Sequence, residues 1–272
     1  MKRRKGRLNI IEIVDEKTVR KIGIIREVSR PQRLKVEAWV LSQVRQRGVN
    51  VPKVLQYSQN EKGREVLLLE RINGRRLSQE KSKQNARVMF EVGSQLRLLR
   101  GSMENQGWGW FDSTSMLGKF SDWRSFLKFY LQEYGNSIKD RGTLTEGELE
   151  KLLLSLNKID FGEVTPSFVH RDIKPSNILI DSNRKVWILD WENTIIGDQL
   201  FDLAAFGVRY GEGEFWKNLK KGLNFEEEIL SPKYQLYKIL ALIGVIDFYQ
   251  KYQLNIGKKY FQLHRLIQQF NP

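Results

Sequence analysis

The spacing of apolar residues divides the chain into a short strand-rich part and a longer helical part. Leu8–Val14 and Thr18–Ile22 read as two strands joined by an Asp15-Glu16 turn. In Gln32–Arg47 the apolar residues Leu34, Ala38, Leu41 and Val44 share one helical face, and Val49–Pro52 breaks that helix before the next strand. Glu65–Glu70 (EVLLLE) is a continuous apolar strand, hence buried, and ends in Arg71-Ile72-Asn73-Gly74. The pattern then turns helical: Gln84–Leu99 is amphipathic, Ser121–Tyr134 is aromatic-rich after a Gly/Trp-rich loop at Gly107–Phe111, and Glu146–Asp160 follows. Ile178–Ile180 and Val186–Leu189 interrupt it as two short strands around an Asp181-Ser182-Asn183 turn. A helix is expected from Leu203 with Asp202 as its N-cap, then a polar connector over Gly211–Phe225. Pro232–Phe270 reads as two helical segments meeting near Leu254–Gly257. There is no internal repeat or low-complexity tract.

Composition narrows the picture by exclusion. At 272 residues, 40% hydrophobic and 11% aromatic, the chain can bury a sizeable core and suits one large domain or two lobes sharing a cleft. It has no Cys, and His170 and His264 are its only histidines, so disulfides, thiolate metal sites and His-cluster zinc sites are excluded. The longest apolar run, Ile239–Ile246, has eight residues, too short to cross a bilayer. No signal peptide is recognised, so a cytoplasmic protein without a membrane partner is expected. The net charge of +14 invites a nucleic-acid reading, but its distribution argues otherwise. Residues 1–80 hold 20 Lys/Arg against 9 Asp/Glu, whereas residues 81–272 hold 26 against 23. A basic first lobe above a phosphate site fits a nucleotide binder, and nucleic acid is not expected as a partner.

The chemistry concentrates around the two short strands. A hairpin over Ile178–Leu189 brings its ends together, so Asn177 before it and Asp190 after it lie side by side, with Asp172 on the loop leading in. An amide oxygen and a carboxylate suit Mg2+, which takes its remaining ligands from water and substrate phosphates. A separate Asp can accept a hydroxyl proton. One Asp or Asn at such a place would be a turn residue. Three at these spacings, followed by Asp198 and Asp202, describe a phosphoryl-transfer site.

His170-Arg171-Asp172, Lys174 and Asn177 resemble the catalytic loop of the protein-kinase-like superfamily. Asp190-Trp191-Glu192, Gly197-Asp198 and Asp202-Leu203-Ala204 are similar to the aminoglycoside phosphotransferase and choline kinase-like family of small-molecule kinases. Arg171 departs from that family, which more often has Gly there. The resemblance implies an α+β, two-lobed protein-kinase-like fold. A small antiparallel-sheet N-lobe would span residues 1–72 and a larger, mainly helical C-lobe residues 73–272. It implies an Mg-dependent enzyme moving the terminal phosphoryl group of ATP or GTP to a hydroxyl of a small molecule. Asp172 would be the base, Lys174 would offset charge on the transferring group, and Asn177 and Asp190 would hold Mg2+. Lys21, with Arg20 as runner-up, would reach the phosphates and be positioned by Glu37. Backbone groups of Glu70 and Ile72 would bond the purine edge, and Asp198 would hold the catalytic loop. No GxGxxG precedes the strands, only Gly6, and the N-lobe looks about one strand short: either Met1–Arg7, otherwise a frayed end, forms an abbreviated loop, or the phosphate grip is weak.

Rival readings are a protein kinase, favoured by Arg171 and Lys174, and a nucleotide-binding pseudokinase or nucleic-acid module. Trp108, Trp110 and Trp123 could stack on a substrate, although core packing is the commoner role of such residues. A polycationic acceptor would need a strongly acidic pocket, and the candidate acids are few: Glu192, Glu212, Glu214 and Glu226–Glu228. A neutral or singly charged hydroxyl compound is therefore expected.

Overall fold

The computed structural model describes residues 3–5, 8–24, 32–79, 86–226 and 228–271. Its first part is an antiparallel sheet of five strands: β1 (Arg3–Lys5), β2 (Asn9–Ile13), β3 (Thr18–Gly23), β4 (Val54–Gln59) and β5 (Glu65–Glu70), in the order β1-β2-β3-β5-β4. The central strand β3 pairs with β2 and β5, so that Lys21 stands between Ile11 and Leu67. Helix α1 (Arg33–Gln46) packs on β4 and β5 and buries Leu34, Val36, Val40, Leu41 and Val44. It also buries Glu37, whose partner lies on the sheet. The segment expected to fray supplies β1, pairing Arg4 with Ile11. This sheet is thus not a strand short. Gly6 and Arg7, where an abbreviated phosphate loop is one alternative, lie outside the described residues, as do residues 25–31, 80–85 and 227 and the two termini.

Past the linker at residues 71–73, β6 (Gly74–Arg76) joins a different sheet. The larger part follows with helix α2 (Ala86–Arg97), strands β7 (Trp108–Phe111) and β8 (Gly118–Phe120), and helices α3 (Trp123–Lys139) and α4 (Glu146–Lys158). Strands β9 (Ser167–Val169), β10 (Ile178–Asp181), β11 (Val186–Ile188) and β12 (Ile195–Gly197) come next. Helices α5 (Leu200–Tyr210), α6 (Glu214–Leu223), α7 (Pro232–Lys251) and α8 (Gly257–Gln269) complete the chain. The arrangement is α+β, a small antiparallel sheet lobe on a mainly helical lobe.

Two small sheets carry the loops that matter. The β10–β11 hairpin forms with Leu179 opposite Trp187, and its turn is tied by Asp181, whose carboxylate accepts from Asn183 N, Lys185 N and Trp187 Nε1. β12 pairs with β9 and β7, fastening the two ends of the functional stretch to one another. Beneath them the core centres on α7, where Leu236, Tyr237, Ile239, Leu240, Leu242, Ile243 and Ile246 are fully buried against α3 and α5.

Three sequence expectations change. The Gly211–Phe225 connector contains α6, which buries Trp216, Leu219 and Leu223 at helical spacing. Its Gly222 lies so close to α2 that a Cβ would sit 2.2 Å from Phe90 O, so only glycine fits this crossing. Gly107–Phe111 is largely strand rather than loop. α5 starts at Leu200, one turn earlier than expected, which places Asp202 inside its first turn instead of ahead of it.

Candidate active site

The loop between β9 and β10 is built on His170. Its ring is fully buried against Trp191, with centroids 4.6 Å apart. Nε2 lies 3.0 Å from Leu189 O, and Nδ1 accepts from Asp172 N at 3.2 Å. One neutral tautomer, protonated at Nε2, satisfies both contacts, and burial favours it by lowering the pKa. Arg171 then adopts φ 65°, a left-handed conformation that costs on the order of 1 kcal/mol for a non-glycine residue. What holds it there is a cage: its guanidinium lies over Trp110, Tyr130 and Phe201 and donates to Tyr130 OH at 3.0 Å. Arg171 is therefore a strut of the loop.

The loop is also gripped from α5. Asp202 accepts from His170 N at 2.8 Å and Arg171 N at 2.6 Å. Burial pushes its carboxyl up to about 6, against the pull of those two N–H groups. The expected roles of the two later aspartates are thus exchanged. Asp198 sits one residue ahead of the N-cap of α5, where it accepts from Leu200 N at 2.9 Å and from Tyr237 OH at 3.1 Å. A one-turn shift in the helix start accounts for the exchange.

Asp172 is held on both sides by cations. Its Oδ2 accepts from Lys174 Nζ at 2.5 Å and from Asn177 Nδ2 at 3.2 Å, and its Oδ1 accepts from Arg209 Nη1 at 3.3 Å. Asn177 Nδ2 also reaches Asp172 O at 3.1 Å. Arg209 is absent from the residues that the sequence points to. The only signal for it is its position two turns beyond Asp202 on α5, which puts both side chains on the loop-facing side of that helix.

Across the cleft, Lys21 gathers three carboxylates. Its Nζ is 2.8 Å from Glu37 Oε2, 2.7 Å from Asp190 Oδ1 and 3.2 Å from Glu192 Oε2. Burial opposes the ammonium, but the three negative charges outweigh it and hold its pKa well above the usual lysine range. Burial is the largest influence on Asp190 and Glu192 and pushes both up, but the combined pull of Lys21 with Lys174 on Asp190, and of Lys21 with Arg33 and Asn9 on Glu192, holds both below the usual carboxylate range. For Glu37 burial wins, and its pKa is raised to about 7. Glu37 Oε1 also accepts from Trp191 N, tying α1 to the Asp190 segment. Glu192 is shared with Arg33 at 3.0 Å and Asn9 at 2.7 Å, which removes it from the acids considered for an acceptor pocket. Arg20 turns away to Glu12, so it is Lys21 that faces the cleft.

The hinge residues are less clearly prepared. Glu70 N donates to Lys53 O at 2.9 Å, so that group is already engaged. Ile72 has no backbone hydrogen bond among the described residues. Of the tryptophans, Trp110 and Trp123 are buried, Trp123 donating to Tyr237 OH at 2.7 Å, and Trp108 packs on Trp123, so all three belong to the scaffold.

The donor set suits Mg2+. Asn177 spends its amide nitrogen on Asp172, and Lys21 holds Asp190 Oδ1. Asn177 Oδ1 and Asp190 Oδ2 have no hydrogen-bond partner among the described residues. No group of three or more His, Asp and Glu among those residues is arranged to hold a metal alone. Two protein oxygens with room for phosphate and water are what this hard cation uses.

Fold and site together define a kinase-like phosphotransferase scaffold. The chain belongs to the Phosphotransferase enzyme family (APH), whose profile matches residues 23–237. Among curated proteins none matches it in sequence. Solved structures do match in fold. A thermostable mutant of aminoglycoside phosphotransferase APH(4)-Ia, in ternary complex with AMP-PNP and hygromycin B, superposes with TM-score 0.76 at 14% identity, over 97% of this chain and 91% of that one. A putative fructosamine-3-kinase from Haemophilus somnus 129PT gives TM-score 0.67 at 18% identity, over 97% and 87%. The gentamicin complex of APH(2")-IIa gives 0.69 at 17%, over 98% and 89%.

Proposed function

We propose that the protein is an Mg-dependent phosphotransferase that moves the terminal phosphoryl group of ATP or GTP to a hydroxyl of a small molecule. The observation that carries this reading is the Lys21 cluster. One buried ammonium touches Glu37 on α1 and Asp190 beside the hairpin, so the phosphate-binding and metal-binding positions of a kinase meet at one point. Asp172 stands across from it, adjoining Asn177.

In this reading Asn177 and Asp190 hold the metal ion, which when bound neutralises phosphate charge. Lys21, kept charged by its three neighbours, steadies the phosphates. The acceptor oxygen forms its bond to the terminal phosphorus while the bond to the bridging oxygen breaks, and that oxygen leaves with the nucleoside diphosphate. The acceptor proton passes to Asp172. Lys174 and Arg209, both on Asp172, fix the direction of its carboxylate and offset charge on the transferring group. Positioning and electrostatics supply the catalysis.

A protein-kinase reading loses one of its two supports, since Arg171 is a strut of the loop, and the short path from Asp190 to β12 leaves no room for an activation segment there. The nucleotide is tested by thermal unfolding. Mg-ATP or Mg-GTP raises the melting temperature clearly, whereas nucleotide or Mg2+ alone does little, because the complex prefers the folded state. No shift at millimolar Mg-nucleotide, with salt-sensitive binding to arbitrary oligonucleotides, would favour a nucleic-acid module instead.

A further inference from the structure

Beside Asp172 the cleft wall is cationic. Arg209 ends α5 next to Tyr210, and Lys259 reaches over from α8 to donate to Val208 O at 2.5 Å. Arg209 and Lys259 lie close enough for the guanidinium to lower the Lys259 pKa further, after burial, the larger cause. Tyr210, the last residue of α5, is 49% exposed beside Arg209. Lys174 and Arg209 thus touch the one carboxylate, Asp172, and Lys259, held on the carbonyl of the residue before Arg209, adds a third cation. Among the described residues Lys259 has no acidic partner.

The guanidinium carries the sharper observation. Arg209 is partly exposed, at 25%, and spends only Nη1 on protein, donating to Arg171 O at 3.0 Å and Asp172 Oδ1 at 3.3 Å. Among the described residues nothing accepts from its Nε or Nη2. That leaves the edge of a planar fork whose geometry matches a carboxylate or phosphate. Four of the six acids considered for a polycation are paired elsewhere: Glu192 with Lys21 and Arg33, Glu212 with Lys238, Glu214 with Lys217 and Glu226 with Lys220, while Glu227 lies outside the described residues.

We propose that the acceptor carries an anionic group, a carboxylate or a phosphate ester, which docks on Arg209 and Lys259 while its hydroxyl meets Asp172. This rests on the phosphotransfer reading above and names its substrate class. An ammonium brought to the same wall would leave water to face two like charges, which is costly. The anion gains charge-assisted hydrogen bonds from a fork already oriented by Arg171 O and Asp172.

The test is a set of hydroxyl compounds matched except for charge: gluconate and glucose 6-phosphate against glucose, glycerate against glycerol, with kanamycin as the polycation. Nucleoside diphosphate release and the further melting shift over Mg-AMP-PNP are both read. The anionic members are expected to have the higher kcat/KM by about 10- to 100-fold, the range of a hydrogen bond to a charged group. Preference for gluconate over glucose 6-phosphate, or the reverse, separates carboxylate from phosphate. Lys259→Gln, which does not touch Asp172, should raise KM for the anion more than it changes kcat and should narrow the anion-to-neutral ratio. Arg209→Gln should narrow it further. A best turnover on a neutral or cationic member overturns the anionic subsite and leaves phosphotransfer standing. So does a Mg-nucleotide shift with neither turnover nor added shift from any anion. If the Mg-nucleotide shift is itself missing and no member is turned over, phosphotransfer fails and this assignment with it.

Discussion

Lys21 is the residue on which the two lobes depend, and its environment makes a sharp demand. A buried ammonium among Glu37, Asp190 and Glu192 is stable because each charge is compensated by another. Removing it leaves three carboxylates repelling one another, with Arg33 on Glu192 and Lys174 near Asp190 as the cations among the described residues that offset them. Lys21→Met should therefore destabilise the protein by about 3–5 kcal/mol in urea unfolding at pH 8, the cost of breaking a buried ion pair from one side. The loss should shrink at pH 5, where Glu37 can take up a proton. Equal stability of variant and wild type at pH 8 would contradict the cluster. Asp202 makes a second demand, with a defined sign. Its carboxyl is pushed up to about 6 in the folded protein, while an unfolded Asp titrates near about 3.9. Between about pH 4 and 6 the folded state thus binds a proton that the unfolded state has released. The stability contributed by this group falls as pH rises through that window, by up to about 3 kcal/mol, and is level above it. Unfolding curves from pH 4 to 7 should decline more steeply for wild type than for Asp202→Asn, and parallel curves would show that Asp202 is not the cause. The carboxylate that holds the catalytic loop at neutral pH is held there at the expense of stability.

At the scale of elements, what can be read from the sequence depends on how local the physics is. The hairpin from Ile178 to Ile188 and the placing of Asn177 and Asp190 at its ends are legible because a turn and two apolar strands fix them within fourteen residues. The Lys21–Glu37 pair is legible only through the family resemblance, laid onto a strand and a helix whose own patterns are clear. Arg209 is not, because nothing in its own neighbourhood says what α5 faces. Glu192 misleads for the same reason: its partners, Asn9, Lys21 and Arg33, all come from the other end of the chain. β1 is hidden since a strand of Arg and Lys carries no apolar signal, although charge on an edge strand is a common guard against pairing with another chain. α6 reads as a connector because a ten-residue helix beginning after Gly213 and interrupted by Gly222 looks too weak to fold alone. Its glycine is required by packing: Gly222→Ala would drive a Cβ into Phe90 O at 2.2 Å. The substitution should lower stability by about 1–3 kcal/mol despite improving helix propensity. A gain in melting temperature would show that α2 and α6 do not cross this closely.

At the scale of the molecule, the proposed site draws on both the sheet lobe and the helical lobe. Lys21 and Glu37 come from the first, while Asp172, Asn177 and Asp190 come from the second. Among the described residues no helix is long and apolar enough to cross a membrane. In the proposed reaction Asp172 acts on the acceptor whereas Asp190 acts through the metal ion, and one paired measurement separates them. Mg-nucleotide affinity and turnover are determined for wild type, Asp172→Asn and Asp190→Ala. Asp172→Asn should keep its nucleotide affinity while turnover falls by on the order of 100- to 10,000-fold, the range of general-base catalysis. Asp190→Ala should lose affinity for Mg-nucleotide as well as turnover. Equal loss of nucleotide binding in both variants, or turnover unaffected by Asp172→Asn, would contradict the account.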